Sequence, residues 1–423
     1  MTTRDLVAAA SAVAGSDAIH VLADSSGDFD GVVPGVVISP QTAIVVADTL
    51  RWAASERLSV VVTGHGTKSS WGRPPRSIDV HLRLDRLNAV VDHASADLTA
   101  TIQAGAVIDD VNRVLGRQGQ CLPLDPSFSD WATIGGVIAT NDSGPIRHRF
   151  GTPRDQIIGI TVATADGRLV KAGGRVVKNV AGYDLARLMC GSHGSLAVIV
   201  DATFKLAPVP AATATVRMTG LSAAAVRQVM SEADTRQLEP LAVEIAGQIE
   251  SRHAPLTLLV RFASVPEAVS AAVDEAQAIA SSLGIRADVL TGEAETACWS
   301  AHATRLFDGM NTLVRLSWLP ANLSGALDAL ADASGYVPIA LAGRAGVGAG
   351  VIALEGPPDA QAAAIGVLRR GSAVGNVVLM RAHRDVRALV DPWGPEPAAA
   401  RLWAPLKHAW DPTGVLGASR GPL

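Results

Sequence analysis

The sequence contains few cysteines, few aromatic residues and little net charge. Its 423 residues include only three cysteines, Cys121, Cys190 and Cys298, which are too few and too widely spaced for a zinc or iron–sulfur site. The odd number also argues against a disulfide framework, so we expect a reducing, cytoplasmic environment. A formal net charge of −4, with only 2 Tyr and 6 Phe, is not the composition of a nucleic-acid-binding protein.

Long apolar runs are also missing. The most apolar stretch, residues 337–354, is interrupted by Arg344 and by several glycines, which predicts paired strands rather than a membrane span. Residues 1–13 include Arg4 and Asp5 and lack the apolar core of a secretory signal. We therefore expect no membrane span, and at most a peripheral position at the inner face of the membrane through partners.

With 48% hydrophobic residues, the chain has enough apolar side chains for two or three domains. Short β-rich runs alternate with helical stretches in the first half, where Ser39 and Pro40 predict the start of a helix that continues to about Arg57. The Asp166-Gly167 pair between two apolar runs predicts a hairpin. After Pro208 the order becomes β-α-β-β-α, which predicts an antiparallel sheet with helices on one face. The fold class is therefore α+β.

A glycine-bearing loop, residues 63–72, follows a strand that the sequence predicts to be buried. Glycines let successive backbone N–H groups point into one concavity, where they can hold a diphosphate. The spacing matches neither a Walker A motif nor the dinucleotide motif G-x-G-x-x-G. By itself, this loop therefore favours a surface turn over a phosphate site.

Two further segments carry small and polar residues. Residues 131–151 contain the pair Gly135-Gly136 within an apolar run, which suggests close approach of the backbone to a cofactor. Residues 173–201 contain the run Lys178-Asn179-Val180-Ala181-Gly182-Tyr183-Asp184-Leu185, followed by Arg187-Leu188 and Gly191-Ser192.

Together the three segments resemble the FAD-binding domain of the vanillyl-alcohol oxidase/p-cresol methylhydroxylase (PCMH) type, and within it the FAD-binding E subunits of bacterial glycolate oxidases. The resemblance covers residues 34–208, and residues 406–420 are similar to the closing segment of that family. It implies a two-part PCMH-type FAD-binding domain over residues 1–210. An α/β cap domain with an antiparallel sheet would follow over residues 211–384, and residues 385–423 would pack back on the FAD domain.

The resemblance also implies a set of cofactor-binding residues. The backbone of the first loop would hold the diphosphate, the second segment would lie along the cofactor and donate hydrogen bonds to it, and the last strand would add a backbone contact. These residues are Gly64, His65, Gly66, Thr67, Lys68, Ser69, Pro123, Thr133, Gly135, Gly136, Thr140, Asn141, Ser143 and Ile199.

Covalent attachment of the flavin is not expected. Relatives that tether the flavin carry a histidine two positions after His65, where this chain has Thr67. His65 is interpreted as a loop residue, and Cys121 as a small packed side chain rather than a tether. We therefore predict noncovalent FAD.

The candidate catalytic residues are Lys178, Arg147 and Arg149. Lys178 would place a cation near the N1–C2=O edge of the flavin, where it would stabilise the reduced ring. A phosphate contact or an ion pair with Asp184 is the alternative, and Asp184 itself is predicted to cap the helix that begins at Leu185. The two arginines are placed to meet an anionic substrate, or else they are solvated or ion-paired.

Relatives that oxidise 2-hydroxy acids alone bear an H-x-G-D-G-N site, and this chain lacks that motif. Its predicted second domain, residues 211–384, has only the scattered His253, His302 and His383, without an acidic partner at ligand spacing, so no metal site is predicted. The resemblance thus implies an FAD subunit of a glycolate or 2-hydroxy-acid dehydrogenase, working with a sister flavoprotein and an iron–sulfur subunit. The alternatives are a self-sufficient FAD-dependent oxidase of an alcohol or hydroxy acid, or an assembly subunit without substrate chemistry.

Overall fold

The computed structural model describes residues 3–20, 28–174, 184–307, 312–417 and 420–421. The chain forms two compact units. The first comprises Met1–Ser143, Phe150–Val209 and Glu396–Leu423, and the second comprises Gly144–Arg149 and Pro210–Pro395. The sequence-based limits at residues 210 and 384, and the roles given to each part, remain predictions.

The first unit begins with a small sheet in the order β1–β2–β4–β3, in which β2, β3 and β4 run parallel. Valine and isoleucine dominate these strands, and one face of the sheet packs into the core of the unit. Its elements are α1 (Thr3–Ala14), β1 (Ile19–His20), β2 (Val36–Ile38), α2 (Ala43–Glu56), β3 (Val60–Thr63) and β4 (Val80–Arg83).

The second sheet of this unit is antiparallel, in the order β5–β6–β10–β8–β9, beside a short β7–β11 pair. The hairpin of β8 and β9 turns at Asp166-Gly167, as the sequence predicts. The elements of this part of the chain are β5 (Val90–Ala94), β6 (Thr99–Gln103), α3 (Ile108–Gly116), β7 (Gln120–Cys121), α4 (Ile134–Thr140), α5 (Arg147–Phe150), α6 (Pro153–Gln156), β8 (Ile157–Thr164), β9 (Leu169–Gly173), α7 (Leu185–Met189), β10 (Ala197–Lys205) and β11 (Ala207–Pro208). Of these, α5 belongs to the second unit except for Phe150.

The expected start of the first long helix at Ser39-Pro40 is wrong. Helix α2 begins after Thr42, whose side chain accepts a hydrogen bond from the amide of Val45 at 3.3 Å. Ser39 instead extends β2, and its amide donates to the carbonyl of Ala18 at 2.8 Å. Both residues suit an N-cap, and the tertiary pairing of Ser39 decides between them.

The second unit is built on an eight-stranded antiparallel sheet in the order β15–β12–β14–β13–β17–β18–β16–β19. The predicted antiparallel sheet and the α+β class are therefore confirmed. The elements are β12 (Ala212–Leu221), α8 (Ala223–Thr235), β13 (Ala242–Gln248), β14 (Leu256–Ser264), α9 (Pro266–Ser282), β15 (Ala287–Leu290), α10 (Gly292–Thr304), β16 (Thr312–Ser317), α11 (Leu323–Ser334), β17 (Ile339–Arg344), β18 (Ala349–Leu354), α12 (Pro358–Arg370), β19 (Gly375–Arg381) and α13 (Arg384–Leu389).

Successive side chains of β13 point to opposite faces of this sheet. Val243 and Ile245 belong to a core that also includes buried residues of α8, α9, α11 and α12. Glu244, between them, therefore lies on the opposite face, directly across from Arg344 on β17. Helix α10 provides further polar side chains to that face.

The last helix, α14 (Trp403–Trp410), precedes a turn at Asp411 and belongs to the first unit. Across the described ranges, no helix is both long enough and apolar enough to cross a membrane.

Candidate functional site

The first unit contains an open cleft. The three predicted cofactor segments all contribute to its walls. The predicted residues that line it are Gly64, Gly66, Thr67, Lys68, Ser69, Thr133, Gly135, Gly136, Thr140 and Ile199. Segments distant in the sequence thus meet at one site.

The loop after β3 has the geometry of an anion-binding loop. Gly66 adopts φ +77°, and the amide and hydroxyl of Ser69 donate to its carbonyl at 3.0 and 2.6 Å. A side chain at Gly64 would overlap that of Thr133, so glycine lets the loop lie against the start of α4. Within the described residues, the amides of residues 64–68 donate no hydrogen bond to the protein. These donors fit the diphosphate of a dinucleotide.

Lys68 is fixed inside the wall of the cleft. Its side chain is only 6% exposed, and its Nζ lies 3.4 Å from Asp142 Oδ2 and 3.3 Å from the carbonyl of Ser127. The same Asp142 oxygen accepts from the amide of Ser127 at 2.9 Å. The ammonium also lies 5.6 Å from the ring centroid of Trp71. Lys68 therefore links the first cofactor segment to the second.

The sequence predicts that the backbone at Gly135, in α4, lies close to the cofactor. In the structure Gly135 packs closely against Ala104. A Cβ at Gly135 would lie 2.8 Å from Ala104 Cβ and 3.1 Å from Ala104 O, and the amide of Gly135 donates to that oxygen at 2.7 Å. A Cβ at Gly136 would meet only Thr133 Oγ1, at 3.3 Å. Packing against Ala104 is therefore one reason for glycine at position 135, and its close approach to the cofactor stays a prediction.

The hydroxyl of Thr140 donates within α4, to the carbonyl of Gly136 at 2.8 Å. Asn141 ends the helix at φ +48°, and its Oδ1 accepts from the amide of Arg154 at 3.4 Å. Four residues of the predicted set are not among the described residues that line the cleft: His65, Pro123, Asn141 and Ser143. A cofactor role for them stays a prediction.

His65 is exposed, and its ring makes an edge-to-face contact with Trp131 at a centroid distance of 5.8 Å. This contact agrees with the interpretation of His65 as a loop residue. Burial raises the pKa of the Cys121 thiol, which disfavours the thiolate that a covalent tether would need. Both observations fit noncovalent binding.

His81 is a nearby residue that sequence reasoning missed. Its Nε2 lies 2.8 Å from Thr63 Oγ1, at the end of the strand that leads into the loop. Burial, and then the charge of Arg83, lower the pKa of His81 to about 4. The ring is therefore neutral at pH 7 and supports the base of the loop as a hydrogen-bonding group.

Arg147 and Arg149, the two candidate catalytic residues that the structure describes, are not among the residues that line the cleft. Arg147 and Arg149 lie on α5, in the segment Gly144–Arg149 of the second unit, and Arg149 Nη2 is 3.9 Å from Glu239 Oε2. Lys178 lies outside the described residues. Asp184 does cap α7, because its carboxylate accepts from the amide of Arg187 at 3.0 Å, and it also pairs with the Arg187 guanidinium at 3.2 Å.

A charged network occupies the sheet face of the second unit under α10. His302 Nε2 lies 3.0 Å from Glu244 Oε2, and Arg344 Nε lies 3.4 Å from Glu244 Oε1. His302 therefore has an acidic partner that its spacing in the sequence does not reveal. The two residues are far apart in the sequence, and only the packing of α10 on β13 makes them neighbours.

Glu295, 2% exposed, forms the other half of this network. Its carboxylate accepts from Thr213 and Thr215 at 2.6 and 2.8 Å and from Arg261 at 2.9 Å. Trp299 completes the cluster by donating to Thr215 at 2.8 Å. Such a satisfied polar cluster fixes α10 to the sheet. Among the described residues, no group of three or more His, Cys, Asp or Glu is arranged to hold a metal ion.

A family model described as an FAD binding domain matches residues 34–173. Three curated relatives match the chain. Glycolate oxidase subunit GlcD of Bacillus subtilis is 32% identical over 216 residues, covering 51% of this chain and 46% of the relative. Glycolate oxidase subunit GlcE of Escherichia coli is 34% identical over 192 residues, covering 45% and 53%. A D-lactate dehydrogenase of Archaeoglobus fulgidus is 32% identical over 263 residues, covering 59% and 57%.

This chain thus spans about half the length of the curated relatives it matches. Among solved structures, p-cresol methylhydroxylase with substrate bound aligns at a TM-score of 0.77, with 13% identity, over 99% of this chain and 97% of the other. That likeness shows the fold alone. The three comparisons agree: residues 34–173 match an FAD binding domain, the chain is similar to glycolate oxidase subunits, and it has the fold of p-cresol methylhydroxylase.

Proposed function

We propose that this chain is an FAD-dependent oxidoreductase that acts on the CH–OH group of a small 2-hydroxy acid, as a flavoprotein subunit of a glycolate-type dehydrogenase. The observation that supports it most is the cleft of the first unit, where unpaired loop amides, Lys68 and the glycine-bearing α4 form walls suited to a dinucleotide. The names of the relatives, glycolate oxidase subunits and D-lactate dehydrogenase, give the substrate class.

When bound, FAD supplies the two-electron acceptor for a hydride from C2 of the hydroxy acid. In this proposal the residues of the chain do the remaining work. The loop after β3 and the start of α4 hold and orient the cofactor. Arg147 and Arg149 provide positive charge for the substrate carboxylate, and Lys178 provides it near the N1 edge of the flavin ring.

The electrons would leave through an iron–sulfur partner subunit, in a complex that also contains a sister flavoprotein. The names of two relatives as glycolate oxidase subunits support a complex, and the iron–sulfur partner is what the family resemblance implies. Within such a complex the chain would lie in the cytoplasm, and it would reach the inner face of the membrane only through its partners.

The test is anaerobic addition of glycolate or D-lactate to the purified holoprotein, with L-lactate as the stereochemical control. We expect the absorbance of the oxidised flavin to fall with one of the first two acids and to persist with L-lactate. The reduced protein should turn over only when an electron-accepting partner or an artificial one-electron acceptor is added.

Two other results would replace this proposal. Rapid turnover with oxygen alone would identify a self-sufficient oxidase. A fully loaded flavin that no hydroxy acid reduces, in a chain that still assembles with its partners, would identify an assembly subunit.

A further inference from the structure

The segment after the second unit forms part of the wall of the FAD cleft. Gly417 and Arg420 line the cleft together with the loop after β3. The backbone of this segment pairs with β3, because the amide of Val60 donates to Val415 O at 2.8 Å and the amide of Gly417 donates to Val60 O at 3.1 Å. It therefore lies beside the strand that leads into the loop.

Arg420 connects this segment to the loop itself. It is 7% exposed, and its Nη2 donates to the carbonyl of Ser69 and, at 2.7 Å, to the carbonyl of Trp71. Its guanidinium carbon lies 4.4 Å from the ring centroid of Phe29, a cation–π geometry. The Arg420 carbonyl in turn accepts from the amide of Arg73 at 3.1 Å. Both the backbone and the side chain of Arg420 therefore hold the end of the loop.

The position of this segment is set independently of the loop by a buried ion pair. Lys407 Nζ donates to Asp411 Oδ2 at 2.6 Å, to the carbonyl of Ser195 at 2.7 Å and to that of Leu416 at 2.9 Å. Asp411 also accepts from the amide of Leu416 at 2.7 Å. Ser195 lies in the third cofactor segment, so Lys407 and Arg420 attach one stretch of chain to two walls of the cleft.

These contacts have a consequence for an anionic ligand. Carbonyl oxygens repel a diphosphate, and Arg420 occupies those of Ser69 and Trp71 with donors. Nη2 donates to both carbonyls while the planar guanidinium lies over the Phe29 ring, an arrangement that a lysine ammonium on a flexible stem reproduces less well. Its charge also lies in the wall of the cleft, where partial exclusion of water strengthens the attraction to phosphate.

We propose that Arg420 is a positioning residue for FAD, which holds residues 69–71 in the cofactor-binding shape. The affinity for FAD would then depend on a residue far outside the stretch that matches the FAD-binding domain. The inference deepens the cofactor half of the proposed function and does not rest on oxidation of any hydroxy acid. If no acid reduces the flavin, it still stands.

The experiment compares Arg420→Met and Arg420→Lys with Arg401→Met, a matched control at an exposed arginine of the same C-terminal stretch. The dissociation constant of FAD is measured by dilution of the holoprotein, from the rise in free-flavin fluorescence. Unfolding of the FAD-free protein is followed separately by circular dichroism. A merely structural arginine would shift the unfolding temperature, whereas a positioning residue shifts the dissociation constant.

We expect Arg420→Met to weaken FAD binding by roughly tenfold to a hundredfold, as expected for the loss of hydrogen bonds from a charged donor. The unfolding temperature of the FAD-free protein should change little, Arg420→Lys should be intermediate, and Arg401→Met should bind as the wild type does. Unchanged FAD affinity in Arg420→Met overturns the proposal. Full FAD affinity in Arg420→Lys also overturns it, because a positive charge without the planar guanidinium would then be enough to hold the loop.

If Arg420→Met does not fold, amide hydrogen exchange in the Arg420→Lys holoprotein decides. Faster exchange of the amides of residues 64–71, with unchanged exchange in β8 and β10, supports the positioning role. Exchange in the loop equal to that of the wild type overturns it.

Discussion

Replacing Gly135 by alanine should destabilise the first unit, whereas the same change at Gly136 should not. Both glycines lie in the first turns of α4 and line the same cleft. Only the first of them packs against Ala104, where an added Cβ would lie 2.8 Å from the alanine Cβ and 3.1 Å from its carbonyl oxygen. The two positions therefore form a matched pair.

The expected change in the free energy of unfolding combines two destabilising contributions and one stabilising contribution. Forcing a methyl group into this packed contact costs about 1–3 kcal/mol. Moving α4 away from Ala104 would also weaken the 2.7 Å hydrogen bond between the Gly135 amide and Ala104 O, which is worth about 1 kcal/mol. Alanine regains up to about 1 kcal/mol over glycine in a helix. We expect a net loss of about 1–3 kcal/mol for Gly135→Ala, and a change within about 1 kcal/mol for Gly136→Ala.

The assay is urea unfolding of the FAD-free variants, paired with the FAD dissociation constant of each. Gly135→Ala should unfold at lower urea and lose FAD affinity only in proportion to its loss of structure. The reasoning is refuted if Gly135→Ala is as stable as Gly136→Ala but binds no FAD, because residue 135 would then face the cofactor and not Ala104.

Four further outcomes are expected. Acid precipitation of the holoprotein should release the flavin into the supernatant, and flavin retained in the pellet would contradict noncovalent binding. Lys178→Met should lower the flavin midpoint potential, with the reduced state destabilised by about 1–3 kcal/mol; an unchanged potential with FAD fully bound would remove Lys178 from the mechanism. Lys68→Met should cost about 3–5 kcal/mol because it leaves Asp142 buried and unpaired, and calorimetric stability equal to that of the wild type would show that the pair is dispensable. Because the pKa of His81 is lowered to about 4 in the folded state, its contribution to stability is present above pH 6.5 and is lost as the pH falls towards 4, by about 3 kcal/mol in all. His81→Gln should flatten that part of the pH–stability curve, and a curve identical to that of the wild type would show that another group titrates.

Local patterns in the sequence were sufficient for much of the fold. The hairpin at Asp166-Gly167 and the cap at Asp184 depend on residues within a few positions of each other, and both are confirmed. The start of α2 was misplaced because Ser39 and Thr42 are equally suitable caps by local chemistry. What separates them is the pairing of Ser39 with Ala18, which no local rule contains.

Some features of the candidate site could likewise be predicted from the local sequence, and others could not. The loop around Gly66 could be identified because its glycines follow a strand within a few residues. The pairing of His302 with Glu244, and of Arg420 with Ser69, joins residues 58 and 351 positions apart. Such contacts are fixed by tertiary packing. For Gly135 the sequence showed that a side chain is excluded, but not which neighbour excludes it.

The FAD-binding unit is interrupted in the sequence, and this bears on how the protein is made. Most of its core precedes Val209, yet Val415, which belongs to that core, and Gly417 and Arg420 reach β3 and the cofactor loop only after the whole second unit has been translated. During synthesis at about 5–20 residues per second, the edge of β3 would therefore stay uncovered for some ten seconds or more. An uncovered strand edge is a template for wrong pairing. Until residues 415–420 have been synthesised, chaperones or a quickly folding second unit would have to protect the edge of β3 from such pairing.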